Sequence, residues 1–319
     1  MFFKKTMLWV IMISILISIS SNSWFVYWLT MEMNLMSFIP IMNNYKMKNC
    51  DSMIIYFIIQ SFSSSLFFIS SFQFDLNNSS LALIIINMSI LIKLAIMPFH
   101  FWLISMSESL SFNVLFIILS IQKIIPLFIF SKFFTQMIII IVMFSTMLSS
   151  VMALNLKIIK KLLIFSSISH QGWMMCLIFK KINFWISYLI MYMYIIFSVI
   201  NMCKKHKMNS FFNNTINKMN YNEKMNFISQ FMSLGGMPPF LGFFMKIMAI
   251  FLLMKMNFWL MMILICSSLV NLFFYLKIMT PFLFLFKKNL SINKISFNKS
   301  FLMNINIMTL IFIVNLLIF

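Results

Sequence analysis

Five side chains in this 319-residue sequence could do chemistry because of where they stand: Glu32, Lys93, Lys123, His170 and Lys246 all fall inside runs apolar enough to cross a membrane. Glu32 sits in "WFVYWLTMEMNLMSFIP", Lys93 in "SILIKLAIMPFHFW", Lys123 in "LSIQKIIP", His170 in "FSSISHQGWMM", and Lys246 after "SLGGMPPFLGFFM". A charged residue at the centre of a membrane helix costs about 2.5–3.5 kcal/mol on insertion scales, so each needs a partner or a function. The chemistry open to amines, a carboxyl and an imidazole is proton exchange. Apolar surroundings favour the neutral carboxyl unless an ammonium stands close by, so Glu32 and the lysines read as a set of coupled titrating sites. His170 reads equally well as a hydrogen-bonded core histidine. Lys277, in "YLKIMTP", lies near the end of its span, where a long side chain can snorkel to the interface.

Prolines supply a second pattern. Pro98 follows Lys93 in one span, and Pro238 and Pro239 precede Lys246 in another. Proline has no N–H and clashes with the carbonyl four residues back, so both spans should break and leave polar backbone at membrane depth. Two broken helices carrying lysine and proline in opposite order are what an inverted repeat presents, and paired broken helices mark transport sites. The competing reading is a pair of ordinary kinks.

These residues must be positioned by membrane helices. The composition is 62% hydrophobic and 9% charged, with a mean hydropathy of +1.00, far from the roughly one-quarter charged usage of soluble domains. Apolar windows broken at polar clusters predict about eleven spans: Phe3 to Ser20, Trp24 to Met42, Met53 to Ser71, Leu81 to Ser105, Phe112 to Ser131, Met137 to Leu156, Leu162 to Phe179, Phe184 to Cys203, Met225 to Leu253, Phe258 to Met279 and Phe301 to Phe319. No alternating pattern suggests a barrel. Lys4 and Lys5 before an apolar run resemble a secretory signal, but no small-residue cleavage site follows, so that segment reads as the first helix. The result is an all-α polytopic protein of one transmembrane domain with a C-terminal helix at 301–319; if the broken spans do mark an inverted repeat, its halves would lie near residues 1–131 and 137–279. Sixteen loop lysines fall on the side of the N-terminus and four, Lys132, Lys180, Lys181 and Lys255, on the other. That asymmetry places the N-terminus on the matrix-like side and the C-terminus opposite.

Several functions are disfavoured. The net charge of +19 reflects membrane-flanking lysines, with no basic domain or aromatic platform for nucleic acid. Cys50, Cys176, Cys203 and Cys266 are scattered, with no metal-ligand spacing. There is no G-x-G-x-x-G, no P-loop and no cysteine cluster, so the chain is not expected to bind NADH, flavin or iron–sulfur centres itself. Three histidines on different segments do not supply paired haem ligands. With 35 Met, 41 Phe, 4 Gly and no Arg, the usage points to an AT-rich organelle genome of the animal mitochondrial kind.

The same residues carry a resemblance. "WLTMEMNLMSFIP", "KLAIMPFHFW", "IQKIIP", "KKLLIFSSISHQGWMM" and "SLGGMPPFLGFFMK" resemble, in order, the motifs of the NADH:ubiquinone oxidoreductase chain 2 family, the antiporter-like membrane subunits of respiratory complex I. The matches run from Trp28 to Lys246. The resemblance implies two inverted five-helix repeats with two discontinuous helices, and a proton-pumping role in the mitochondrial inner membrane. Glu32 matches the family's buried glutamate, Lys93 and Lys246 the lysines of its broken helices, Lys123 its central lysine, and His170 the histidine of "SS-I-x-H-x-G". Ala95 departs from the usual "KLG", and "SMSESLS" replaces a segment richer in Pro and Gly, which leaves the shape after the first break open. FMN, iron–sulfur clusters, NADH and ubiquinone are expected in other subunits of the complex, and the partners are the other membrane-arm subunits and the lipid bilayer. In mechanism, Glu32 and Lys93 would form an ion pair whose separation releases the lysine's proton toward Lys123 and Lys246. A stand-alone cation/proton antiporter and a purely structural subunit are the alternative readings.

Overall fold

The computed structural model describes residues 2–43, 47–208, 221–238, 240–254 and 258–289. Among them the order is α1 (Phe2–Ser20), α2 (Trp24–Met42), α3 (Met47–Asn77), α4 (Ser80–Leu94), α5 (Phe101–Ser107), α6 (Phe112–Leu119), a 3₁₀ turn at Ile121–Lys123, α7 (Ile124–Phe133), α8 (Ile138–Ala153), α9 (Ile159–Phe179), α10 (Phe184–Lys205), α11 (Tyr221–Gly235), α12 (Leu241–Leu253) and α13 (Phe258–Asn289). Every predicted span up to Met279 has a helical counterpart. The eleventh span, at 301–319, and Pro239 lie outside the described residues.

Both predicted breaks are present: α4 and α5 are two halves of one span, and α11 and α12 two halves of another. Each broken span stands fourth in a run of five. A further interruption was not foreseen: span five is split at Ser120, whose φ of −124° and ψ of −80° end α6 before the 3₁₀ turn that carries Lys123. Pro126, in plain view within "IQKIIP", cannot give an N–H back to residue 122, so the backbone before it has no continuous helical ladder to follow.

Helix α9 is the axis of the molecule. It packs against α5, α6 and α7 from the first half and α8, α10, α12 and α13 from the second. Every residue from Leu162 to Ile178 is buried, although the helix carries Ser166, Ser167, Ser169, His170 and Gln171. Its serines spend their protons locally, Ser166 on the Leu163 carbonyl at 2.9 Å and Ser167 on that of Ile164 at 2.7 Å, which lets polar residues sit where water is scarce. The outer faces are apolar: Trp9 and Leu16 of α1, Ile140 and Phe144 of α8, and Trp259 and Leu269 of α13 point outward, as lipid-facing surfaces require.

Loop contacts group the ends of the helices. Lys4 donates to the Asn43 carbonyl at 2.6 Å, joining the N-terminus to the end of span two. Lys160 donates to Leu110 at 2.6 Å and Lys161 pairs with Glu108 at 2.5 Å, joining the loops after spans four and six. Lys277 is exposed on α13, whose backbone runs on to Asn289, so it reaches the periphery from beside the helix rather than from its end.

Candidate functional site

The site begins with two carbonyls that proline leaves without a partner. In an unbroken helix the Leu94 carbonyl would accept from the N–H of residue 98, and that of Gly235 from residue 239; both positions are proline. At the first break the Leu94 carbonyl accepts instead from Gln171 Nε2 of α9, at 3.2 Å. The neighbouring orphans are also met: Ile92 accepts from the Trp102 indole at 3.3 Å, and Leu91 from the Ile96 N–H at 3.1 Å. At the second break Lys246 Nζ donates to Gly235 at 2.8 Å. A helix C-terminus carries about half a negative charge, and an ammonium there gains up to about 2 kcal/mol in partly buried geometry, so α11 offsets much of the burial of Lys246. Lys93, in the last turn of α4, has the same kind of neighbour. Lysine and proline come in opposite order, and only Lys246 bonds the end of its half-helix; Lys93 lines a cavity.

Between Lys93 and Lys123 lies a cavity with about 30 Å³ of room for water, lined also by Asn34, Tyr56, Gln60 and Gln122. That is enough for one or two water molecules with polar walls to hold them. Gln122 donates to Asn34 of α2 at 2.9 Å, which anchors the 3₁₀ turn and hence Lys123 beside the cavity. Lys123 is 4% exposed, has no hydrogen-bond partner, and stands 5.7 Å over the ring of Tyr192. A desolvated cation–π contact contributes about 2 kcal/mol. This is less than the insertion cost of about 2.5–3.5 kcal/mol, so Lys123 also depends on the polar cavity wall.

From Tyr192 the row continues to α9. The His170 ring lies 5.1 Å from that of Tyr192, and its Nδ1 meets the Tyr188 hydroxyl at 2.9 Å. Its Nε2 makes no well-formed hydrogen bond, and the Leu234 carbonyl lies near the ring. Both Lys123 and Lys246 lie within electrostatic reach of this imidazole. Tyr192, Tyr275, Trp173 and the Gln171 carbonyl each bury a polar atom without a partner in the same region.

The five candidates thus form a row: Glu32 at one edge, then Lys93, Lys123, His170 and Lys246. Glu32 departs from expectation. It is only part-buried, on the α2 face toward α3, where its carboxylate accepts from Ser64. It acts electrostatically on Lys93, but the two make no ion pair; the ion pairs among the described residues lie elsewhere, at Lys161–Glu108 and around Glu223. The reason is that α3 supplies a nearer donor and Lys93 faces the cavity. Pro98 is exposed beyond the end of α4, and Pro238 is likewise exposed between α11 and α12. Sequence reasoning missed Gln171, Tyr188, Tyr192, Asn34 and Gln122. Gln171 alone had a signal, as the residue next to His170 in a polar helix. Among the described residues no three of His, Cys, Asp and Glu come together to hold a metal.

Known proteins share the sequence pattern and the fold. Residues 70–271 match the family model described as NADH:quinone oxidoreductase/Mrp antiporter, TM. The chain is 57% identical over 313 residues to NADH-ubiquinone oxidoreductase chain 2 of Rhipicephalus sanguineus, covering 97% of this chain and 99% of that one. To the chain 2 of Anopheles gambiae it is 37% identical over 298 residues, covering 89% and 87%. The fold is similar to a chain of respiratory complex I from Thermus thermophilus, with a TM-score of 0.76 at 17% identity over 87% of this chain and 70% of that one. It is also similar to a chain of the Mrp complex from Dietzia, with a TM-score of 0.75 at 15% identity over 86% and 59%. The chain therefore belongs to the NADH-ubiquinone oxidoreductase chain 2 family, within the antiporter-like membrane proteins.

Proposed function

We propose that this chain conducts protons across the mitochondrial inner membrane as a membrane-arm subunit of respiratory complex I, along Glu32, Lys93, Lys123, His170 and Lys246. The observation that carries the reading is the cavity between Lys93 and Lys123, because a part-buried and a buried amine facing one polar, water-sized space can exchange a proton without either leaving its helix. A lysine that gives up its proton to the next group removes a buried charge, so moving the charge along the row is cheaper than holding it at one place. Glu32, electrostatically coupled to Lys93 but not in contact with it, sets how firmly that first proton is held.

In this reading the two runs of five spans, near residues 1–131 and 137–279, are inverted repeats, with the N-terminus on the matrix side. NADH, FMN, iron–sulfur clusters and ubiquinone belong to other subunits, and electron transfer there drives the proton movement here. The chain takes part in an enzyme without carrying its redox chemistry. The test is the assembled complex with Lys93→Met and Lys246→Met together: proton uptake per NADH oxidised by sealed vesicles should fall, and unchanged uptake would sink the scheme. The likeness to an Mrp antiporter chain supports a second reading, a self-standing cation/proton antiporter. Sodium-driven proton flux in liposomes holding this chain alone would favour it.

A further inference from the structure

We propose that Tyr192 is a proton-relay residue, its hydroxyl carrying the proton across the gap between Lys123 and His170. The inference rests on the proton-conduction reading above.

Tyr188 and Tyr192 are four residues apart on α10 and therefore share a face, and that face meets His170 of α9. They do different things there. The Tyr188 hydroxyl is occupied with His170 Nδ1 and fixes the ring. Tyr192 touches both neighbours in the row: Lys123 Nζ lies 5.7 Å from its ring centre and the imidazole ring 5.1 Å. The residue is 1% exposed, and its hydroxyl makes no well-formed hydrogen bond. Ser167 lies close; its own proton goes to the Ile164 carbonyl at 2.7 Å, so toward Tyr192 it offers only a weak acceptor that the phenol can leave.

The ring stands within 5.7 Å of Lys123 Nζ and 5.1 Å of the imidazole but cannot itself take up a proton. A phenol hydroxyl can donate and accept at once. In the relay a proton released by Lys123 forms a new O–H bond at the Tyr192 oxygen, through a water where the distance requires one. As it arrives, the existing O–H bond breaks and that proton passes toward the unpartnered Nε2 of His170. One bond forms, one breaks, and tyrosine ends neutral. The hydroxyl must then turn back before the next proton, which makes its freedom from a fixed partner a requirement.

The experiment compares assembled complexes carrying Tyr192→Phe, Tyr192→Leu and Lys123→Met, reading NADH-driven proton uptake in sealed vesicles. Phenylalanine keeps the ring and its contacts and removes only the hydroxyl. The expected result is a loss of roughly tenfold for Tyr192→Phe, below the 10²–10⁴ typical of general acid–base groups because water replaces part of the relay. Tyr192→Leu should be no better. Wild-type uptake with Tyr192→Phe beside impaired uptake with Lys123→Met overturns the relay and leaves the path standing. Wild-type uptake with Lys123→Met overturns the path itself. If Tyr192→Phe does not assemble, Tyr192→His, which keeps an aromatic donor–acceptor, replaces it: uptake within roughly threefold of wild type supports the relay, and lost uptake overturns it.

Discussion

Gln171 Nε2 donates to the Leu94 carbonyl, the group that Pro98 leaves without a helical partner, and so ties the end of the first broken helix to the central helix α9. Lys246 does the same for Gly235 at the second break. One clasp is a neutral amide and the other an ammonium. The first break therefore stays closed whatever the state of Lys93, while the second is held by a group in the proton row itself.

Replacing Gln171 by Leu leaves a buried carbonyl unpaired at a cost of about 1–3 kcal/mol. Amide hydrogen exchange in the stretch 94–100 should quicken in the assembled complex, with exchange in α11 unchanged. Equal protection in the wild type and the variant would show that Leu94 does not depend on this bond.

Gly236→Ala should harm the second clasp. Gly236 has φ +80°, and an added Cβ would stand 2.9 Å from Lys246 Nζ. Backbone strain of about 1–3 kcal/mol adds to displacement of the ammonium from Gly235. Lower thermal stability and lower proton uptake are expected together; loss of stability with normal uptake would separate the fold from the function.

Ala95→Gly is expected to stabilise slightly. Ala95 has φ +55°, a left-handed conformation that costs a side-chain-bearing residue about 1–2 kcal/mol and glycine nothing. Against this stands the loss of one buried methyl, about 0.8 kcal/mol. The balance is a gain of under about 1 kcal/mol, read as a small rise in the melting temperature of the complex. A fall would mean that the methyl's packing outweighs the strain.

Close packing of α8 on α9 gives a paired test. A Cβ on Gly172 would fall 1.7 Å from Thr146 Cγ2, so Gly172→Ala should reduce assembly. Adding Thr146→Ser removes that methyl and should restore it. Failure of the double variant to recover would point to backbone crowding instead.

The sequence made Lys93, Lys246 and the two breaks legible because a charge or a proline in an apolar run conflicts with its own surroundings, and the conflict needs no partner to be seen. The left-handed turn at Ala95 just past the first lysine is a backbone region where glycine is at ease, which the alanine in "KLA" does not announce. What pairs with what was not legible. Gln122 and Asn34 are 88 residues apart, and Gln171 and Leu94 are 77 apart, so only the fold brings them together. Tyr192 was invisible for a different reason: a tyrosine in an aromatic-rich span carries no sign of conflict. Glu32 was read as a buried partner of Lys93 because one acid among many lysines suggests a pair, but Ser64 on the adjacent helix takes that place.

The most direct test of the proton row is Lys123, the one member that both lines the cavity and faces Tyr192. In sealed vesicles holding the assembled complex with Lys123→Met, proton uptake per NADH oxidised should fall clearly below wild type. Wild-type uptake in that variant, with the complex intact, would contradict the account.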